Sequence, residues 1–134
     1  MPRHRDPAKS LRALAAALPA LVAHAMESTM QEAQAQGRRT TAFHNVTGRL
    51  RASIRGGVLE ENDRRVVGAL TAGANDAQPG RTGWEMPSNE YGPLIELGTA
   101  RRSPRPFIWP TMVYIAGQNV LGRSMRAEYR KFTP

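Results

Sequence analysis

The sequence predicts an α+β fold. Three observations predict it: an amphipathic helical stripe near the N-terminus, two short strands around a polar turn, and a second helical stripe at the C-terminus. A length of 134 residues suits one domain, 1–134, and leaves no room for a separate cofactor domain. Leu, Ile, Val and Phe number 24 of the 134 residues, so the core is expected to be small and to gain stability by packing against neighbours.

The first helix is expected over 7–36. Asp6 caps it, Pro7 takes the first helical position, and Leu11, Leu14, Leu18, Leu21, Val22, Ala25, Met26 and Met30 recur at spacings of three and four. Pro19 removes a backbone donor and should kink or split the helix, and Gly37 is the expected stop. Arg3, Arg5, the apolar run Ala13 to Val22 and Ala23-His24-Ala25 also follow the plan of a secretory leader. Against that reading, Asp6 and Arg12 are charged and the stripe continues past the would-be cleavage site. No uninterrupted apolar run reaches the ~18 to 20 residues of a membrane span, so no membrane partner is expected.

A turn and hairpin are expected over 47–70. Thr47 caps a short helical turn that sends Leu50 and Ile54 inward and Arg49 and Arg51 outward. Strands follow over 57–61 and 64–70, with Asn62-Asp63 as the turn. Residues 71–90 hold turn formers and two prolines among small polar residues. They read as a long loop, with Trp84 as its bulky anchor, suited to docking on a neighbour. A motif segment over 91–110 runs from Tyr91 through the basic, proline-rich Arg101-Arg102-Ser103-Pro104-Arg105-Pro106 to Phe107-Ile108-Trp109-Pro110, where the prolines impose an extended path. The last helix is expected over 110–131, with a weak stripe of Val113, Ala116, Val120 and Ala127, flanked by Met112 and Ile115 and interrupted by Gly117 and Gly122.

Charge points to acidic partners. Arginine supplies 17 of the 19 basic residues, against 11 acidic ones, for a net charge of +8. There is no cysteine, hence no disulfide, thiolate metal site or thiol nucleophile. His4, His24 and His44 sit in separate segments without acidic ligands at metal spacing, and Gly80-Arg81-Thr82 lacks the lysine and the upstream glycine of a phosphate loop. Glu60, Glu61 and Asp63 belong to a predicted hairpin tip, where a solvated acidic surface is expected instead of a catalytic cleft. The chain is therefore read as a non-enzyme with no cofactor. Arg101, Arg102 and Arg105 beside Phe107 and Trp109 form its one basic and aromatic constellation, which suits phosphates and bases. Anchoring the loop in the core is the preferred role for the two aromatics. Glu96 is within reach of one of these arginines, across the same turn or across a subunit boundary, and the sequence does not decide either pairing.

The order of four segments is more specific than any one of them. Thr47-Gly48-Arg49-Leu50-Arg51-Ala52-Ser53-Ile54, Val66-Val67-Gly68, Tyr91-Gly92-Pro93-Leu94-Ile95-Glu96-Leu97-Gly98-Thr99 and Arg105-Pro106-Phe107-Ile108-Trp109-Pro110 together resemble the tail-component, or neck, family of long-tailed bacteriophages. The resemblance spans Thr47 to about Met112. Leu97 stands where that family usually has an aromatic residue and Gly92 where it usually has alanine. The resemblance implies a small twisted antiparallel sheet between long terminal helices. It also implies a ring-forming, non-catalytic subunit at the junction of capsid connector and tail tube, of the tail completion or tail terminator type, assembled in the host cytoplasm into the virion. Its implied partners are further copies of itself, with a hexamer favoured, and the neighbouring connector, stopper and tail tube proteins.

A six-membered ring carries +48 formal charge, and a lumen lined with it would hold the exiting DNA. Most arginines are therefore expected to face acidic neighbours, with any contact to packaged DNA non-specific. The candidate partner-binding residues are Arg49, Arg51, Trp84, Glu96, Arg101, Arg102 and Arg105. The alternative reading is a small basic nucleic-acid-binding protein; a secreted factor is the third.

Overall fold

The computed structural model describes residues 6–40, 48–74 and 88–132. Its elements are α1 (Pro7–Arg38), α2 (Arg49–Ser53), β1 (Arg55–Glu61), β2 (Val66–Thr71), α3 (Ser88–Leu97), α4 (Ile108–Gly117) and α5 (Val120–Phe132). The fold is α+β: a long N-terminal helix, a two-stranded antiparallel sheet and a helical C-terminal part.

α1 is the frame on which α2, β1, β2, α4 and α5 pack, while α3 packs on α2. Its start follows the expected chemistry, since the Asp6 carboxylate accepts the Ala8 amide at 3.0 Å and Pro7 takes N1. Pro19 sits inside the helix without splitting it. Gly37 is not the stop. The helix runs one residue further, and Gly37 is buried where an added Cβ would lie 3.1 Å from Ile54 Cγ2, so the glycine is there for packing. The apolar stripe is buried only in part: Leu21, Ala25 and Met30 are covered, whereas Leu11 and Leu18 are exposed. By length and composition α1 is apolar enough to cross a membrane, a property that counting uninterrupted apolar residues does not register; 28% of its most apolar window is buried inside the fold.

β1 and β2 pair from Arg55↔Thr71 to Glu61↔Val66. The strands are separated by 62–65 instead of a two-residue turn. Asn62 Oδ1 accepts the amides of Arg64 and Arg65 at 2.8 and 2.9 Å, and the Asn62 amide donates to the Arg65 carbonyl. The register slips between Val58 and Glu60, leaving Leu59 as the extra residue of a bulge. The outer edge of β1 is covered by polar side chains of α1. Gln34 Oε1 accepts the Gly56 amide at 3.1 Å, and Glu27 Oε2 accepts the Val58 amide at 3.1 Å. This approach requires glycine at 56, where a Cβ would lie 2.0 Å from the Met30 carbonyl oxygen.

Two buried clusters share Leu70. One joins Met30 and Ala33 of α1 to Ile115 and Val120; the other joins Leu50, Ile54 and Phe107, with Ile95 and Ile108 packed against it. Leu50 and Ile54 thus lie inward as their spacing requires. The 91–110 segment departs from the expected extended path. Residues 91–97 belong to α3, with Pro93 inside it, and an extended path is kept only between that helix and α4. Packing overrides the local sequence here: Gly92 is buried, with space for a Cβ only 3.1 Å from Leu50 Cδ1. The expected 71–90 loop is likewise shortened at both ends, by Thr71 in β2 and Ser88–Glu90 in α3; 75–87, including Trp84, lie outside the described residues.

The C-terminal stripe forms two helices. α4 starts at Ile108, placing Pro110 in the first turn, and the break comes at Gln118-Asn119, where Asn119 has φ 50°. The buried face carries Thr111, Ile115 and Val120: Val120 lies inward as expected, whereas Val113, Ala116 and Ala127 are exposed and the flanking Ile115 takes the inward position. A four-residue step from 111 to 115 keeps one face of a helix, and the break resets the phase for α5.

Candidate functional site

α3, the 98–107 connection and α4 form the site. Gly98 ends α3 with φ 77°, its amide donating to the Leu94 carbonyl at 2.9 Å. A tight turn follows, with reciprocal backbone bonds between Thr99 and Arg102, while Thr99 Oγ1 accepts the amides of Arg101 and Arg102. The Arg105 amide donates to the Ile95 carbonyl at 2.8 Å, which brings the connection back alongside α3. The backbone that carries Arg101, Arg102 and Arg105 is thus fixed, while all three side chains are exposed and have no ion pair among the described residues.

Among the described residues Glu96 forms no ion pair with an arginine. Its carboxylate accepts three backbone amides at the start of α4, from Phe107 at 2.6 Å, Ile108 at 3.0 Å and Trp109 at 3.0 Å. The first amides of a helix lack intrahelical acceptors and carry the positive end of its dipole, so a carboxylate supplied from α3 caps α4 and locks the two helices together. The preceding motif thereby fixes the Arg-Pro-Phe motif.

Phe107 and Trp109 have separate fates. Phe107 is 2% exposed, in the core, whereas Trp109 is 70% exposed. Phe107 is the N-cap residue, with non-helical backbone that turns its ring inward, whereas Trp109 lies in the first turn of α4 and faces out. Trp109 and Leu97, itself 75% exposed, flank an open apolar groove of about 530 Å³ that is also lined by Pro93, Phe107, Ile108 and Met112. The site is an apolar groove adjoining a connection that carries three exposed cations. It has no pair of facing carboxylates, and no group of three or more His, Asp or Glu capable of holding a metal occurs among the described residues.

The other candidates lie elsewhere. Arg49 is half-buried at the start of α2. Arg51 does not point outward: Nη1 donates to the carbonyls of Arg38 and Thr40, the latter at 2.8 Å, at the end of α1. Arg38 returns the arrangement, its guanidinium donating to the carbonyls of Ile54 at 3.1 Å and Ala52 at 3.2 Å at the end of α2. The two arginines cap each other's helix and form a structural clasp. Leu59 carries no mark in the sequence, and Leu97 stands out only as a departure from the neck family's usual aromatic residue; lone leucines in apolar patterns give no sign of exposure.

No protein family, curated protein or solved structure matches the chain.

Proposed function

We propose that the chain is a structural subunit of a phage neck, forming a ring with copies of itself between the capsid connector and the tail tube, and that it has no catalytic role. The observation that carries the proposal is the groove. The segments that resemble the neck family, 91–99 and 105–110, are the ones that build the Glu96 cap and leave Leu97 and Trp109 exposed on it. A fixed apolar surface of this kind is what assembly requires, because it presents contact area without an ordering cost on binding. The arginines beside it suit the acidic surfaces of a connector, stopper or tube protein. The ring belongs in the virion after assembly in the host cytoplasm. The test is joining: a phage lacking the gene should accumulate filled heads and free tails, and normal yields of joined particles would refute the proposal.

One observation favours the second reading, a small nucleic-acid-binding protein. Trp109 is solvent-exposed next to Arg101, Arg102 and Arg105, in the manner of a stacking platform beside phosphate contacts. Steep loss of DNA binding with salt, together with a monomeric protein, is the outcome specific to that reading.

A further inference from the structure

We propose that copies of the chain join head to tail, with the β1–β2 hairpin tip of one copy seated on the Leu97–Trp109 groove of the next. The inference rests on the ring reading above and names the surfaces that would build it.

The groove end is basic and apolar. It carries Arg101, Arg102 and Arg105, and the carboxylate nearest to them in the motif, Glu96, is engaged by the α4 amides. The tip end is acidic and apolar. Glu60 is neutralised by Arg65 at 2.7 Å, which leaves Glu61 and Asp63 against Arg64 for a net charge of −1. On the same strand Leu59 is 75% exposed, turned out where the bulge breaks the ladder. Each end therefore presents a large apolar side chain beside charges of one prevailing sign, and the signs are opposite.

The two ends cannot meet within one chain. The hairpin tip packs beside Pro19 and Val22 of α1, whereas the hairpin base, through Ile54, packs beside Gly37 of α1 and beside Phe107. Arg55 to Glu61 spans about 20 Å of strand. Val22 to Gly37 spans about 22 Å of helix, and the two rulers agree. Complementary surfaces at opposite ends of one subunit suit a second copy, and such a heterologous contact repeats from copy to copy, closing into a ring where its rotation allows.

The test mixes two broken subunits. Leu59→Asp destroys the apolar contact of the tip; Leu97→Asp with Trp109→Asp destroys that of the groove, and all three positions are exposed, so circular dichroism should be unchanged. Light scattering should show the wild type as a discrete multimer, each variant alone as a monomer, and an equimolar mixture as a dimer of twice the protomer mass that grows no further. A wild type that stays monomeric would overturn both this contact and the ring reading. A multimeric Leu59→Asp, or two monomeric variants that fail to form a dimer on mixing, would overturn the tip-to-groove contact and leave the ring reading standing.

Discussion

Replacing Glu96 with alanine removes the acceptor for three amides at once. The Trp109 amide is exposed and recovers a water, so its loss contributes little. The Phe107 and Ile108 amides are part-buried, and leaving each unpaired costs about 1–3 kcal/mol. A further ~0.5 kcal/mol is lost with the favourable interaction of a carboxylate and the helix N-terminus. The expected destabilisation is about 2.5–6.5 kcal/mol, which at a urea slope of about 1.5 kcal/mol per M lowers the midpoint by about 2–4 M. Glu96→Gln keeps one acceptor oxygen but turns an amide donor toward the remaining donors, so it should fall between wild type and alanine. The assay is urea unfolding followed by circular dichroism for all three proteins. A midpoint for Glu96→Ala within 0.3 M of wild type, on the order of 0.5 kcal/mol at that slope, would show that the carboxylate does not tie α3 to α4.

Other substitutions test the remaining joints. Gly56→Ala places a methyl group against the Met30 carbonyl and should cost at least 1–3 kcal/mol, whereas Gly117→Ala meets no atom within 4 Å and should be neutral or stabilising by up to ~1 kcal/mol; thermal unfolding of the pair checks both. Arg51→Ala should cost about 1.5–3 kcal/mol by opening the clasp at the end of α1, with Arg51→Lys recovering part of it, read from urea midpoints. Trp109→Ala should leave the unfolding midpoint within about 0.5 kcal/mol of wild type while lowering the assembled fraction in sedimentation; a large loss of stability would mean that the indole is packed after all.

The parts of the fold that were legible in the sequence are those written in local chemistry. Asp6-Pro7 starts α1, Asn62 makes the turn of the hairpin, and the four-residue spacing of Leu50 and Ile54 puts both in the core. α3 was not legible, because Gly92 and Pro93 argue against a helix and only their packing beside Leu50 sustains one. The candidate site was half legible. Its residues are visible in the sequence, but the partners of Glu96 are not, because backbone amides leave no trace in residue identity. Arg51 was read as a surface charge for the same reason, its partners being the carbonyls that end α1. Phe107 and Trp109 look alike in composition and are divided by where α4 begins, Phe107 as its N-cap in the core and Trp109 in its first turn as a surface for contact.

The most direct measurement of the assembly account is the molar mass of the nuclease-treated protein by light scattering at low and at high salt. The account predicts a discrete multimer of one mass at both, since packed apolar surfaces such as Leu97 and Trp109 are not screened by salt. A monomer at both salts, or a particle whose mass disappears with nuclease, would contradict it.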